Sequence, residues 1–136
     1  MPITRSAPKR DADNTPYWDG AARGELRLQR CAACGVARFY PRLLCPECWS
    51  DSVGWFTASG DGTVYSYSVV HRAPSANFAD AVPYVVALID LDEGPRMLSN
   101  VEADDPEAVQ IGDRVRVRFE RVDENSAIPV FVKVAA

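Results

Sequence analysis

With 136 residues, 47% of them hydrophobic, the chain has enough apolar material for one medium domain or two small ones with a buried core. No run approaches the roughly 18 apolar residues of a membrane span, and residues 1 to 16 are polar, which points to a soluble, cytoplasmic protein. The charge is divided. Residues 1 to 58 hold eight Arg/Lys against six Asp/Glu, while residues 59 to 136 hold seven against thirteen, so the second half is acidic.

Residues 1 to 14, MPITRSAPKRDADN, are polar, charged and proline-bearing, and read as a flexible arm that is mobile or ordered by a partner. In the following TPYWDGAARG, Thr15 is placed to cap a short helix with Pro16 at its first position and Gly24 beyond its end. Tyr17, Trp18 and Ala21 or Ala22 then share an apolar face. A helix this short is not stable alone. Tyr17 and Trp18 are expected to anchor it, either on the ribbon of their own chain or at a partner surface. After Gly24, ELRLQRC alternates as a short strand into the first cysteine.

Cys31, Cys34, Cys45 and Cys48 form two C-x2-C pairs, within CAACGVARFYPRLLCPEC. In an unsecreted protein, paired cysteines of this kind point to metal rather than to disulfides. Two tight turns each present two thiolates, and four sulfurs close a tetrahedron with no position open to water or substrate. That suits a structural zinc ion, with iron in a rubredoxin-like site as the second choice.

From residue 53 the periodicity is two. VGWFTA leads out of the ribbon, GDG turns the chain, and TVYSYSVVH, YVVALIDL, RMLSNV, RVRVRFER and VFVKV follow as strands. Residues 102 to 113 contain DDPEAVQIGD, which fits one helical turn between the third and fourth strands. Five strands with a helical turn at that place match a small Greek-key barrel of the OB type. The expected fold is mainly β: an arm at 1–14, a short helix and metal ribbon at 15–58, and a five-stranded OB barrel at 59–136.

Little catalytic chemistry is available. The single histidine, His71, stands at a strand end, and the four cysteines are assigned to metal. No nucleophile is placed beside a base by spacing, and GDG at 60–62 lacks the flanking pattern of a phosphate loop. The reading is a binding or scaffolding protein and not an enzyme by itself.

The run from Tyr17 to Val117 resembles a family long catalogued only as a domain of unknown function, built from an N-terminal helix, a rubredoxin-like zinc ribbon and a C-terminal OB-fold. The matching segments are PYWDG with GELRLQRCAACG, FYPRLLCPEC, WFTASGDGTVYSYSVVH, PYVVALIDLDEGPRMLSNV and IGDRVRVRF, in that order. The resemblance implies an accessory subunit that assembles with thiolase-superfamily enzymes, including thiolases, acyl-CoA aldolases and acyltransferases, and that takes part in handling acyl-CoA. It implies a noncatalytic role, in keeping with the missing nucleophile.

Two regions are candidates for ligand or partner. In RVRVRFER, Arg114, Arg116 and Arg118 fall on one strand face, where they could meet CoA phosphates or partner carboxylates, or form a solvated face neutralised by acidic neighbours. The long connection HRAPSANFADAVPY carries His71, Arg72, Phe78 and Tyr84. The rival function is single-stranded nucleic-acid binding, the familiar use of OB barrels, and the acidic charge of the barrel half argues against it.

Overall fold

The computed structural model describes residues 3–134. It begins with an irregular segment, residues 3 to 14, that runs over the rest of the chain. The Thr4 N–H donates to the Asn77 carbonyl at 2.9 Å, Arg5 donates to Asn100 Oδ1 at 2.9 Å and pairs with Glu120, and Arg10 reaches the Asn125 carbonyl at 2.6 Å.

Helix α1 spans Thr15–Ala22, with Pro16 in its first turn. Its N-cap is Asn14 rather than the expected Thr15. The Asp11 carboxylate accepts the N–H groups of Asp13 and Asn14, both at 2.9 Å, which starts the turn early. The Thr15 hydroxyl is drawn back to the Asp11 carbonyl at 2.5 Å. Gly24, at φ +79, closes the far end in a conformation that residues with a Cβ rarely adopt. Tyr17, Gly20 and Ala21 form the buried face.

Strands β1 (Arg27–Cys31), β2 (Ala37–Arg38) and β3 (Val53–Thr57) make an antiparallel sheet in the order β2-β1-β3, the frame of the ribbon. The two-residue β2 has no periodicity to announce it. Strands β4 (Asp61–Val70), β5 (Tyr84–Leu91), β6 (Arg96–Glu102), β7 (Arg114–Asp123) and β8 (Ser126–Lys133) close a barrel in the order β4-β5-β6-β8-β7. All pairs are antiparallel except β6 with β8, and a 3-10 turn at Pro106–Ala108 lies between β6 and β7, which is the OB arrangement.

The last strand starts at Ser126, four residues before the expected VFVKV, and runs through Pro129. Proline is tolerated there because its carbonyl, and so the side of the strand where its N–H would be, faces β6, where it accepts from the Ser99 hydroxyl at 3.0 Å. Strand β6 pairs with β8 only at Val101↔Phe131 and Glu102↔Val132, so no ladder bond is lost.

One buried cluster joins the parts. Tyr17, Leu26 and Leu28 from the helix and ribbon pack with Val64, Val85, Ile89, Val115 and Phe131 of the barrel. Burial of such side chains contributes roughly 1.5–3 kcal/mol each. Among the described residues no helix is long and apolar enough to cross a membrane.

Candidate metal centre and partner surfaces

The first knuckle follows β1 and the second follows the loop after β2. Each reverses the chain tightly: the Gly35 N–H donates to the Cys31 carbonyl at 2.8 Å, and the Trp49 N–H to the Cys45 carbonyl at 2.7 Å. The reversals bring the four thiols together. Cys31 and Cys48 Sγ are 3.6 Å apart, Cys34 and Cys45 Sγ are 3.6 Å apart, and all four lie within 4.8 Å of one another. A tetrahedral ion with metal–sulfur bonds of about 2.3 Å requires sulfur separations of about 3.8 Å, so the donor set fits such an ion. None of the four forms a disulfide. Cys31 and Cys45 are buried, while Cys34 and Cys48 face outward.

Two side chains beside this centre escaped the sequence reading. Gln29, only 4% exposed, shares the strand face of Cys31 and pairs across the sheet with Arg38. Arg38 lies beside Cys45 and is the largest influence on that thiol, lowering its pKa to about 6. The strand pattern could have shown Gln29, because positions two apart in β1 point the same way. Arg38 could not be placed without β2.

Of the two anchors on α1, Tyr17 is internal. It is 5% exposed, and its ring meets Trp18 edge-on at 4.8 Å and Phe39 at 5.5 Å. Trp18 is half-buried and lines a cavity of about 220 Å³ with Phe39, Tyr40, Pro41 and Arg42. Apolar side chains also stand exposed around the knuckles: Tyr40, Leu43, Leu44 and Trp49, the last 76% exposed. Their hydrophobicity was visible in the sequence, but their exposure was not.

Arg114, Arg116 and Arg118 of β7 do share an outer face, and each of the three meets a carboxylate. Arg114 pairs bidentately with Asp92 at 2.8 and 2.9 Å, Arg116 with Asp61 at 2.9 Å, and Arg118 with Glu102. The Arg114 guanidinium holds the Asp92 carboxyl below the usual carboxylate range.

In the 71–84 connection, Phe78 stacks on Tyr84 with centroids 5.2 Å apart, next to an apolar groove formed with Val86, Leu98, Ile128 and Pro129. His71 faces Glu107 at 3.0 Å, and Arg72 is exposed. The structure thus brings the four thiols together and places His71 with an acid rather than with a thiol.

The fold and the thiol cluster define a class of protein: a rubredoxin-like metal ribbon joined through a shared core to an OB-fold barrel. Family models match in the same order, the ChsH2 rubredoxin-like zinc ribbon domain over residues 18–54 and the ChsH2 C-terminal OB-fold domain over residues 55–120. The chain belongs to the DUF35 family. It is 39% identical over 103 residues to a DUF35 domain-containing scaffold protein of Methanothermobacter thermautotrophicus, covering 75% of this chain and 77% of that one. It is 38% identical over 127 residues to a probable enoyl-CoA hydratase alpha subunit of Thermomonospora curvata, covering 93% of this chain but only 39% of the relative. A solved structure described as the Ltp2-ChsH2(DUF35) aldolase superposes with a TM-score of 0.83 at 37% identity, covering 93% of this chain and 98% of that one.

Proposed function

We propose that this chain is a noncatalytic subunit of a thiolase-superfamily enzyme acting on acyl-CoA (a thiolase, acyl-CoA aldolase or acyltransferase), to which it contributes a scaffold locked by a zinc ion in the cytoplasm. The observation that carries the noncatalytic reading is the disposition of its nucleophiles. All four thiols converge on one another, and the one histidine pairs with Glu107, so no thiol–imidazole pair stands ready to form an acyl-enzyme. The assembly reading is supported by the 98% coverage of a chain from the structure described as the Ltp2-ChsH2(DUF35) aldolase and by the probable enoyl-CoA hydratase alpha subunit among the relatives. In this reading residues 1–14 form an arm, 15–58 the helix and ribbon, and 59–136 the barrel. Trp18 and the exposed knuckle side chains meet the enzyme. The loop with His71, Arg72, Phe78 and Tyr84 lies toward acyl-CoA, whereas the Arg114, Arg116 and Arg118 face, each arginine of it paired with a carboxylate, is a neutralised outer face of the barrel.

The nucleic-acid rival needs several uncompensated positive charges along a groove, whereas each arginine of the β7 stripe is already matched to a carboxylate. Co-expression with a thiolase-superfamily enzyme, followed by size-exclusion chromatography and acyl-CoA turnover assays, tests the proposal. The expected result is a stable complex with turnover that the isolated chain lacks. Turnover by the isolated chain would overturn the noncatalytic role, and tight, salt-sensitive binding to single-stranded DNA without complex formation would reverse the choice of partner.

A further inference from the structure

The wall behind the buried pair of thiols contains a cation with no oxygen partner for its charged end. Arg38 sits directly across the sheet from Gln29, two residues before Cys31 on the same strand face. Its Nε donates to Gln29 Oε1 at 3.3 Å. The same oxygen accepts the Arg42 backbone N–H at 2.9 Å, while Gln29 Nε2 donates to the Arg42 carbonyl at 3.1 Å. The carboxamide thereby fixes the loop and the root of the guanidinium at once. Both terminal nitrogens of Arg38 are buried, and neither has an aligned hydrogen-bond acceptor. Gln29, which holds Arg38, is two residues from the fully buried Cys31 on the same strand face, and of all side chains Arg38 acts most strongly on the equally buried Cys45 thiol.

A buried guanidinium without an acceptor is strongly disfavoured unless an opposite charge faces it. Four thiolates around a divalent ion supply that charge, since such a centre carries a net charge of about minus two. Cys34 and Cys48 are exposed residues, whereas Cys31 and Cys45 are buried. The neighbouring arginines of the ribbon are placed differently: Arg30 lies over the Phe56 ring and Arg42 over the Tyr40 ring, both exposed. We propose that Arg38, aimed by Gln29, is an internal counter-charge for the four-thiolate centre, raising its affinity for divalent ions and setting the potential of the site when it holds iron. Arg38 is in this sense a positioning and charge-balancing residue, because it touches a ligand and not the ion.

The test compares Arg38→Met, Arg38→Lys and, as a control on the same ribbon, Arg30→Met in the full-length chain. Zn²⁺ and Co²⁺ affinities are measured by competition with a chromophoric chelator, and the reduction potential is measured on iron-loaded protein. Arg38→Met is expected to weaken divalent-ion binding by about ten- to a hundredfold, as loss of outer-shell partners does, and to move the iron potential to more negative values, because the oxidised centre bears less negative charge. Arg38→Lys should restore most of both properties, and Arg30→Met should leave both near wild type.

Equal affinity and potential in wild type and Arg38→Met would overturn the proposal. So would an Arg38→Lys variant as impaired as Arg38→Met, because the side chain would then matter for its shape alone. If Arg38→Met does not fold, the comparison of Arg38→Lys with wild type decides on the same two readouts. A wild-type chain that binds neither Zn²⁺ nor Co²⁺ would instead remove the metal centre itself.

Discussion

Trp49 stands in the second knuckle where Gly35 stands in the first. Each directly follows the second cysteine of its pair, each has a left-handed backbone, with φ of 66 and 78 respectively, and each donates its N–H to the carbonyl of the first cysteine in its pair. A side chain in this conformation costs about 1–2 kcal/mol relative to glycine. Because the Trp49 indole is largely exposed, burial within the chain does little to offset that cost.

Trp49→Gly is therefore expected to stabilise the metal-loaded chain by about 1 kcal/mol, and Gly35→Ala to destabilise it by a similar amount. Urea unfolding midpoints of both variants, read with Trp49→Ala as a second reference, check this. A Trp49→Gly variant no more stable than Trp49→Ala would show that the left-handed backbone carries no cost here.

Removing the metal should reach beyond the knuckles. Cys31→Ser or Cys45→Ser is expected to lose the ion and unfold the ribbon, since binding and folding there share a free energy on the order of 10 kcal/mol. Leu26 and Leu28 sit in the same buried cluster as the barrel residues, so the barrel should also melt at a lower temperature. Elemental analysis with hydrogen exchange tests both parts. A folded variant without metal would contradict a structural role for the ion.

Tyr17 and Trp18 are adjacent in sequence but should respond differently to truncation. Tyr17→Ala empties a buried position and should lower stability by about 3 kcal/mol, leaving the enzyme affinity of the folded fraction unchanged. Trp18→Ala, at the half-exposed face, should weaken association with the enzyme subunit by roughly thirtyfold, corresponding to about 2 kcal/mol at an interface anchor. Melting curves and binding isotherms on the same samples separate these effects. Unchanged affinity in Trp18→Ala would place the interface elsewhere.

The Asp92–Arg114 pair gives a pH signature of known sign. The Asp92 carboxyl is depressed by its hydrogen bonds to Arg114, so its contribution is complete above the unfolded value of about 3.9 and disappears as the pH falls through the lower folded value. The difference in melting temperature between wild type and Asp92→Asn should therefore be largest near neutrality and close in strong acid. Because the pair is exposed, the difference should be small and should shrink in high salt. A gap that widened as the pH fell would contradict the assignment.

The barrel strands were legible because one face of each is buried, and alternation such as RVRVRF, with Val115 inside and Arg114 and Arg116 outside, records which face. The thiol cluster was legible because two C-x2-C turns leave few other ways to satisfy four cysteines. Three features were not. Strand β2 is two residues long, too short for any period, and so the Gln29–Arg38 pairing it creates was hidden. The Asn14 cap depends on the Asp11 carboxylate capturing two backbone N–H groups, a competition that Thr15 had seemed placed to win. The start of β8 was hidden by Pro129, which reads as a strand breaker until its neighbour on that side is known to pair only at two later positions.

The three tryptophans differ sharply in their surroundings. Trp18 and Trp55 pack against the buried cluster, whereas Trp49 is open to water and covalently next to a cysteine of the metal centre. Its emission can therefore be told from the other two by colour. Cobalt or iron in the ribbon would quench Trp49 first, through absorption by the metal–thiolate chromophore, while zinc would leave it bright. A protein surface closing over the knuckles would shift the same emission toward shorter wavelength. The chain carries its own indicator dye, set beside the ion it reports.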